Sequence, residues 1–260
     1  MANKEVGTGV GFPCRPDMSG RDCGKGPFMD GNEPMSGKKV SIPVGEKGAV
    51  SGEIFLPEGH RGGKGTGVIL AHGAGNDMAH PLLVLLSQGL VDAGYVTMRF
   101  NFLYREKGRR APDTQKTLVL TWQSACQFLK GHPRYGTERI IAAGKSMGGR
   151  VASQMVAEGL LPASRLIFLG YPLHGPGRQE KLRDAHLYGI RVPMLFFAGT
   201  RDRLCDLTQL ERVLHRLEAP WHLETIEGGD HSFRLPKSAE MTQQQVFDQI
   251  LNKTKDWLSI

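Results

Sequence analysis

Residues 139–149 have the sequence RIIAAGKSMGG, and the rest of the 260-residue chain is best interpreted outward from them. The first half is an apolar run typical of a buried strand, and apolar residues then recur at helical spacing (Val151, Ala152, Met155, Val156). A serine on a sharp turn from strand to helix exposes its hydroxyl above the sheet edge in a strained conformation. The close approach of strand and helix leaves room only for glycine at the residue two before the serine and at the residue two after it. Gly144 and Gly148 occupy these positions. Ser146 is therefore the predicted nucleophile.

Strands and helices alternate on both sides of this turn. The predicted strands are 40–44, 49–56, 67–71, 95–100, 139–143, 165–170, 193–198 and 221–226, and the predicted helices are 81–93, 114–130, 147–159, 206–217 and 239–258. This alternation predicts an α/β fold with a mostly parallel central sheet and helices on both faces. Only 18 residues separate the segments ending near 173 and starting at 192, which is too few for a large lid.

Composition divides the chain into an extension and one folded domain. The apolar set makes up 40% and charged residues 23%, which is typical of a globular protein. Residues 1–37 contain eight glycines and four prolines without periodicity, so we expect a flexible extension followed by a single domain at 38–260. The first 25 residues lack a signal-peptide core, and the longest apolar segment, 82–91, is interrupted. A cytoplasmic protein that does not enter the membrane is expected.

The net charge of +7 permits an acidic partner or an anionic substrate without requiring one, and nucleic acid is not an expected partner. The extension carries four basic and five acidic residues, so the positive charge belongs to the folded part. The four cysteines form neither a CxxC pair nor a zinc-ligand group (Cys14, Cys23, Cys126, Cys205). We expect reduced thiols and no metal site, and no pattern indicates an oligomeric state.

The loop after the third predicted strand has the sequence AHGAGN at 71–76 and is suited to an oxyanion hole. The backbone N–H of Ala74 is predicted to bind the oxyanion together with that of Met147, where a helix N-terminus adds partial positive charge. The alternative is a loop of small residues with no ligand. His72 is expected to be a hydrogen-bonded structural histidine.

A nucleophilic serine requires an imidazole and a carboxylate from loops at the same sheet edge. Asp202 lies in the turn that leaves the strand at 193–198 and is the leading candidate for the acid. Asp206 is the second candidate, although its place at the start of a helix is better explained as an N-cap. Three histidines follow (His215, His222, His231), and only the last stands in a loop past the final strand. His231 is therefore the predicted base.

The loop at 105–116 follows the fourth predicted strand and should emerge at the same edge of the sheet. It carries five basic and two acidic residues. One interpretation is a solvated loop that its charges keep soluble. The other is that the positive charge steers an anionic acyl substrate toward Ser146, because clustered charge beside a cleft raises the encounter rate of opposite ions.

Several strings resemble known proteins, among them GKSMGGRVAS, FLGYPLHGPG, EKLRDAHL, VPMLFFAGTRD and GGDHSF. Residues 38–260 resemble the α/β-hydrolase superfamily, and more narrowly the hydrolase-like family that includes the testis-expressed Tex30 and KANSL3-like proteins. Dienelactone hydrolases share the fold but use a cysteine where this chain has Ser146. The resemblance implies Ser146 as nucleophile, His231 as general base and Asp202 as its orienting acid, with Ala74 and Met147 as oxyanion donors.

These observations predict a serine hydrolase that cleaves a small-molecule carboxylic ester through an acyl-Ser146 intermediate, with neither a metal nor an organic cofactor. Thioesterase, lipase-like and amidase activities use the same residues, and the lack of a long lid favours small soluble esters. The alternative is a non-catalytic scaffold, because the resembling family includes subunits of complexes. Such a module would dock its extension and basic body onto an acidic partner.

Overall fold

The computed structural model describes residues 37–260. The predicted extension, with Cys14 and Cys23, lies outside the described residues except for Gly37. The first described strand begins at Lys38, and the division into an extension at 1–37 and a domain at 38–260 stays a prediction. Within 37–260, no helix is long and apolar enough to cross a membrane.

Eight strands in the described part of the chain form one sheet in the order β1-β2-β4-β3-β5-β6-β7-β8. Their bounds are β1 Lys38–Pro43, β2 Ala49–Phe55, β3 Thr66–Ala71, β4 Val96–Phe100, β5 Arg139–Lys145, β6 Ala163–Leu169, β7 Met194–Gly199 and β8 Trp221–Ile226. β2 pairs antiparallel with both β1 and β4, and every pairing from β4 to β8 is parallel. The predicted mostly parallel sheet is confirmed.

Within residues 37–260, five α-helices lie between strands and a sixth follows β8: α1 Pro81–Gly89, α2 Leu103–Glu106, α3 Gln115–Gly131, α4 Met147–Ala157, α5 Leu207–Leu214 and α6 Gln243–Leu258. The hydrophobic core divides into two layers, one on each face of the sheet. α1 and α6 pack on one face, while α3, α4 and α5 pack on the other. Side chains along β3 alternate between them, with Val68 and Leu70 in the first layer and Ile69 and Ala71 in the second.

The strand order positions the site. The chain runs from β3 to β4 on one side and then crosses back to β5 on the other side of β3. Loops leaving the carboxyl ends of strands on either side of such a reversal separate and leave a crevice there. The turns after β3, β5, β6, β7 and β8 therefore meet at one edge of the sheet.

Three helix ends differ from the prediction by three or four residues, and one helix was not predicted. α5 ends at Leu214 and not at 217, because His215 caps it. α1 ends at Gly89, before the expected residue 93, because Leu90 caps it and turns follow up to Gly94. α6 begins at Gln243 and not at 239, because Thr242 and Gln245 cap each other's backbone N–H groups. The single-turn helix α2 was not predicted, since four residues are too few to show a period.

Candidate active site

The turn between β5 and α4 holds Ser146 in a strained backbone conformation. Its φ is 50° and its ψ is −117°, one of two positive φ values among the described non-glycine residues. A Cβ on Gly148 would lie 2.6 Å from the carbonyl oxygen of Ala71, and one on Gly144 would overlap the backbone of Gly149. The close approach of strand and helix that the sequence predicted is confirmed.

Three predicted site residues form a continuous chain of hydrogen bonds. The Oγ of Ser146 lies 2.8 Å from Nε2 of His231, and Nδ1 of the same ring lies 2.7 Å from Oδ2 of Asp202. An ionised carboxylate only accepts hydrogen bonds, so Nδ1 carries the proton and Nε2 is free to accept the hydroxyl proton of Ser146. The Asp202 side chain is 0% exposed and the His231 side chain 21%.

Asp202 lies in the turn that follows β7, as predicted. Its Oδ1 accepts the backbone N–H of Leu204 at 2.8 Å. This bond fixes the carboxylate in the turn. Asp206 lies at the start of α5, where its Oδ1 accepts the N–H of Gln209 at 2.9 Å. The predicted helix cap is confirmed, and the structure brings Asp202, not Asp206, to His231.

The other two histidines considered for the base lie away from Ser146. His222 sits on the edge strand β8, where its Nε2 is 2.8 Å from Glu224. His215 ends α5 and packs edge-on against Trp221. Of the three candidates, the structure brings only His231 to the nucleophile.

Lys145 is a residue of this site that the sequence analysis did not identify. Its side chain is fully buried behind Ser146, and its Nζ donates to the backbone carbonyl of His231 at 2.9 Å. The ammonium also lies 5.7 Å from the ring centroid of Phe233. Burial lowers the pKa of Lys145 to about 8, and the nearby carboxylates of Asp202 and Asp230 oppose this effect. A lysine at the end of a strand whose five preceding residues are apolar was the available signal.

Ala74 and Met147 line the same cleft as Ser146, which has a volume of about 410 Å³. Met147 is the first residue of α4, so its N–H has no acceptor within the helix and points toward the turn. Gly73 brings the other loop close, since a Cβ there would lie 3.3 Å from that of Ser146. Ala74 and Met147 thus line one cleft with the candidate nucleophile, and their role as oxyanion donors stays a prediction.

His72 fixes the loop that carries Ala74. The ring is fully buried, its Nε2 accepts the backbone N–H of Phe102 at 3.1 Å, and its Nδ1 donates to the carbonyl of Gly73 at 2.9 Å. Burial lowers the pKa of His72 to about 4, so the ring is neutral and can make both bonds. The prediction of a structural histidine is confirmed.

Comparison with known proteins agrees with this architecture. A sequence model described as an alpha/beta hydrolase domain matches residues 64–259, which is most of the chain. The chain belongs to this alpha/beta hydrolase family. The narrower resemblance to the Tex30 and KANSL3-like family stays a prediction.

Solved structures of other alpha/beta hydrolases share the fold at low sequence identity. The chain is similar to a dienelactone hydrolase from Anabaena variabilis, with 21% identity, a TM-score of 0.67, and 86% of this chain and 97% of that one covered. It is also similar to a serine hydrolase without a lid from Xanthomonas campestris, with 19% identity, a TM-score of 0.64, and 86% of this chain and 96% of that one covered. A third similar structure is esterase 2 from Thermogutta terrifontis, with 16% identity, a TM-score of 0.69, and 88% of this chain and 95% of that one covered.

This alpha/beta hydrolase contains a second contact between a serine and a histidine, 2.8 Å from Ser153 Oγ to His186 Nε2. Ser153 is fully buried within α4, and its hydroxyl donates to the carbonyl of Arg150 at 2.8 Å. Nε2 of His186 also lies 3.2 Å from the hydroxyl of Tyr171. The buried hydroxyl of Ser153 is out of reach of a substrate. The contact between Ser153 and His186 is therefore a packing contact, which attaches the loop after β6 to α4.

The basic loop at 105–116 reaches the cleft, to which it contributes Pro112, Asp113 and Gln115. Two of its five basic residues are already neutralised by carboxylates: Arg109 pairs with Asp113, and Arg105 with Asp77 at 3.1 Å. The prediction that this loop steers an anionic substrate toward Ser146 is untested. The loop carries less unpaired positive charge than its sequence suggested. Within the part of the chain that the structure describes, no group of three His, Cys, Asp or Glu residues is arranged to hold a metal ion.

Proposed function

We propose that this alpha/beta hydrolase is a serine hydrolase that cleaves a small carboxylic ester through an acyl-enzyme intermediate on Ser146. One observation carries the proposal: Ser146, His231 and Asp202 are connected by hydrogen bonds of 2.8 and 2.7 Å, with Ser146 open to a cleft. Nucleophile, base and orienting acid stand in the relation that acyl transfer requires.

In the proposed first step, His231 Nε2 takes the hydroxyl proton while Ser146 Oγ attacks the carbonyl carbon of the ester. The backbone N–H groups of Ala74 and Met147 stabilise the oxyanion of the tetrahedral intermediate. The bond to the leaving alcohol then breaks, and His231 returns the proton to the alcohol oxygen. Water, deprotonated by His231, next attacks the acyl carbon and releases the acid and free Ser146. Buried Asp202 stabilises the positive imidazole during both steps.

Structural relatives support an ester as the substrate and a serine-directed reagent as the probe. Esterase 2 from Thermogutta terrifontis is phosphoramylated by tabun and phosphorylated by paraoxon. A phosphorus electrophile of this kind captures an activated nucleophile without requiring knowledge of the natural substrate. The same chemistry is therefore suited to a chain whose acyl preference is open.

A fluorophosphonate probe tests the proposal directly. We expect the wild type to be labelled once, at Ser146, and Ser146→Ala to lose both labelling and roughly 10⁴-fold or more in kcat toward 4-nitrophenyl acyl esters. Ser153→Ala is the matched control, because it removes the other serine that contacts a histidine. It should still be labelled at Ser146.

Labelling at any other serine would contradict the assignment of Ser146. A folded wild type that neither reacts with the probe nor turns over any ester in a chain-length series would instead favour the non-catalytic scaffold. A series from acetyl to dodecanoyl esters also measures the acyl preference, which we expect to favour short chains because residues 37–260 contain no long lid segment.

A further inference from the structure

Two arginines line the cleft beside Ser146 and have no part in the proposed acyl transfer. Arg150 lies one helical turn after the nucleophile, and its backbone N–H donates to the carbonyl of Ser146 at 3.0 Å. Its side chain is half-buried, and the exposed residue Arg183 reaches the same cleft from the loop after β6. Both arginines therefore line one cavity of about 410 Å³ together with the candidate nucleophile.

Uncharged groups hold the side chain of Arg150 and the backbone of Arg183 in place. The Nη1 of Arg150 donates to Oε1 of Gln154 at 3.1 Å, and the same oxygen accepts Nε2 of Gln115 at 3.0 Å. The backbone N–H of Arg183 donates to the carbonyl of Leu173 at 2.7 Å, and its carbonyl accepts the hydroxyl of Tyr171 at 2.6 Å. The guanidinium of Arg150 is thus held by the uncharged amide of Gln154, and Nη1 of Arg183 lies 3.5 Å from the backbone carbonyl of Pro172. Neither contact compensates the positive charge.

Within residues 37–260, no carboxylate lies within 4 Å of either guanidinium. The acid that lines this part of the cleft, Asp113, pairs with Arg109 and accepts the N–H of Tyr104 at 2.8 Å. Asp184, the neighbour of Arg183 in the sequence, accepts the hydroxyl of Tyr188 at 2.6 Å. Burial, and then the like charge of Arg183, lower the pKa of Arg150, which is the direction that two adjacent cations without an anion produce.

We propose that Arg150 and Arg183 bind a free carboxylate of the substrate, so that the hydrolase acts on esters that carry a second, anionic group. The proposal rests on the function proposed above for Ser146. A planar guanidinium binds a carboxylate through two parallel hydrogen bonds, and two of them flanking one anion fix its orientation as well as its charge. Bound there, the anion places the ester bond within reach of Ser146.

The carboxylate can belong to the acyl part or to the leaving group, and two pairs of substrates distinguish these sources. The first pair is the mono-4-nitrophenyl ester of glutaric acid and the same compound with its free acid methylated. The second pair is 4-acetoxybenzoate and its methyl ester. In each pair, the ratio of kcat/KM for the anionic compound to that for the neutral compound reports recognition of the charge.

We expect this ratio to fall in Arg150→Gln and in Arg183→Gln by about 10- to 100-fold for one of the two pairs, which is the usual effect of losing a charged hydrogen bond. Arg150→Lys, which keeps the charge but not the planar fork, should lose less than Arg150→Gln. Arg139→Gln is the matched control, because Arg139 is exposed at the start of β5, at the opposite edge of the sheet. It should leave the ratio of the wild type unchanged.

Fluorophosphonate labelling of Ser146 in each variant separates the two proposals. If the wild type and the variants are labelled, and the ratio stays within about twofold of the wild-type value for both pairs, the subsite is refuted and the serine hydrolase stands. If the folded wild type is not labelled and cleaves none of the four esters, the proposed function fails and the subsite fails with it. If a substitution at Arg150 prevents folding, the exposed Arg183 supplies the decisive variant.

Discussion

Replacing the buried lysine behind the nucleophile should change how the stability of the protein depends on pH. Lys145 is 1% exposed, and its pKa is lowered from 10.5 to about 8 because burial penalises the charged form. Lys145→Met removes the titrating group while keeping an unbranched side chain of similar length. It also leaves the carbonyl of His231 without its donor, and this second loss applies at every pH.

The sign and size of the effect follow from the two pKa values. Between pH 8 and 10.5 the unfolded chain retains the proton that the folded protein has lost, so the free energy of unfolding rises with pH. The full difference of about 2.5 between the pKa values corresponds to roughly 3 kcal/mol, of which about 2 kcal/mol should be gained by pH 10. Below pH 8 the amine is charged in both states, and the contribution of Lys145 is constant.

Urea unfolding at pH 7, 8, 9 and 10 measures this contribution. The difference in the free energy of unfolding between wild type and Lys145→Met should grow by about 2 kcal/mol in favour of the wild type from pH 7 to pH 10. Tyrosines that ionise in this range are present in both proteins, so they cancel in the difference. Lys39→Met, at an exposed lysine of β1, is the control and should follow the wild type. A difference that stays constant across the series would refute the reasoning.

Two further predictions concern the orienting acid and the extension. Asp202→Asn should lower kcat by on the order of 10³- to 10⁴-fold through the wrong imidazole tautomer, whereas Asp206→Asn should stay within a few-fold, because asparagine also caps a helix. Ester hydrolysis by the two variants decides this, and the reverse order would exchange the roles. A chain starting at Lys38 should keep its melting temperature and activity, since residues 1–37 offer little apolar surface to pack. Precipitation or a large loss of activity would show that the extension contributes to the fold.

The sequence predicted the sheet well because strands buried on both faces are continuous apolar runs. The runs at 67–71 and 193–198 differ from the observed strands by no more than a residue at either end. Helix ends were predicted less well, since they depend on which polar groups cap the backbone. The start of α6 could have been found from the Thr242 and Gln245 spacing, which is that of a capping box.

Candidate site residues were predictable where a position in the fold demanded a residue type. Ser146 had to lie between close glycines, and Asp202 and His231 had to follow the last two strands. Lys145 and Arg183 were not predicted, because their importance depends on contacts between distant segments. A lysine in a strand or an arginine in a loop is ordinarily solvated, and only the packed structure shows that Lys145 contacts the His231 loop.

The outermost strands of the sheet also influence how copies of this chain would meet. β1 presents exposed Lys38 and Lys39 and ends at Pro43, which has no N–H to donate to an incoming strand. At the far side, β8 carries His222 and Glu224, and Lys253 of α6 reaches across to Glu224 at 3.2 Å. Charge and proline at the margins of a sheet oppose the addition of a further strand. Self-association by sheet extension, including the early steps of aggregation, is therefore disfavoured at both ends.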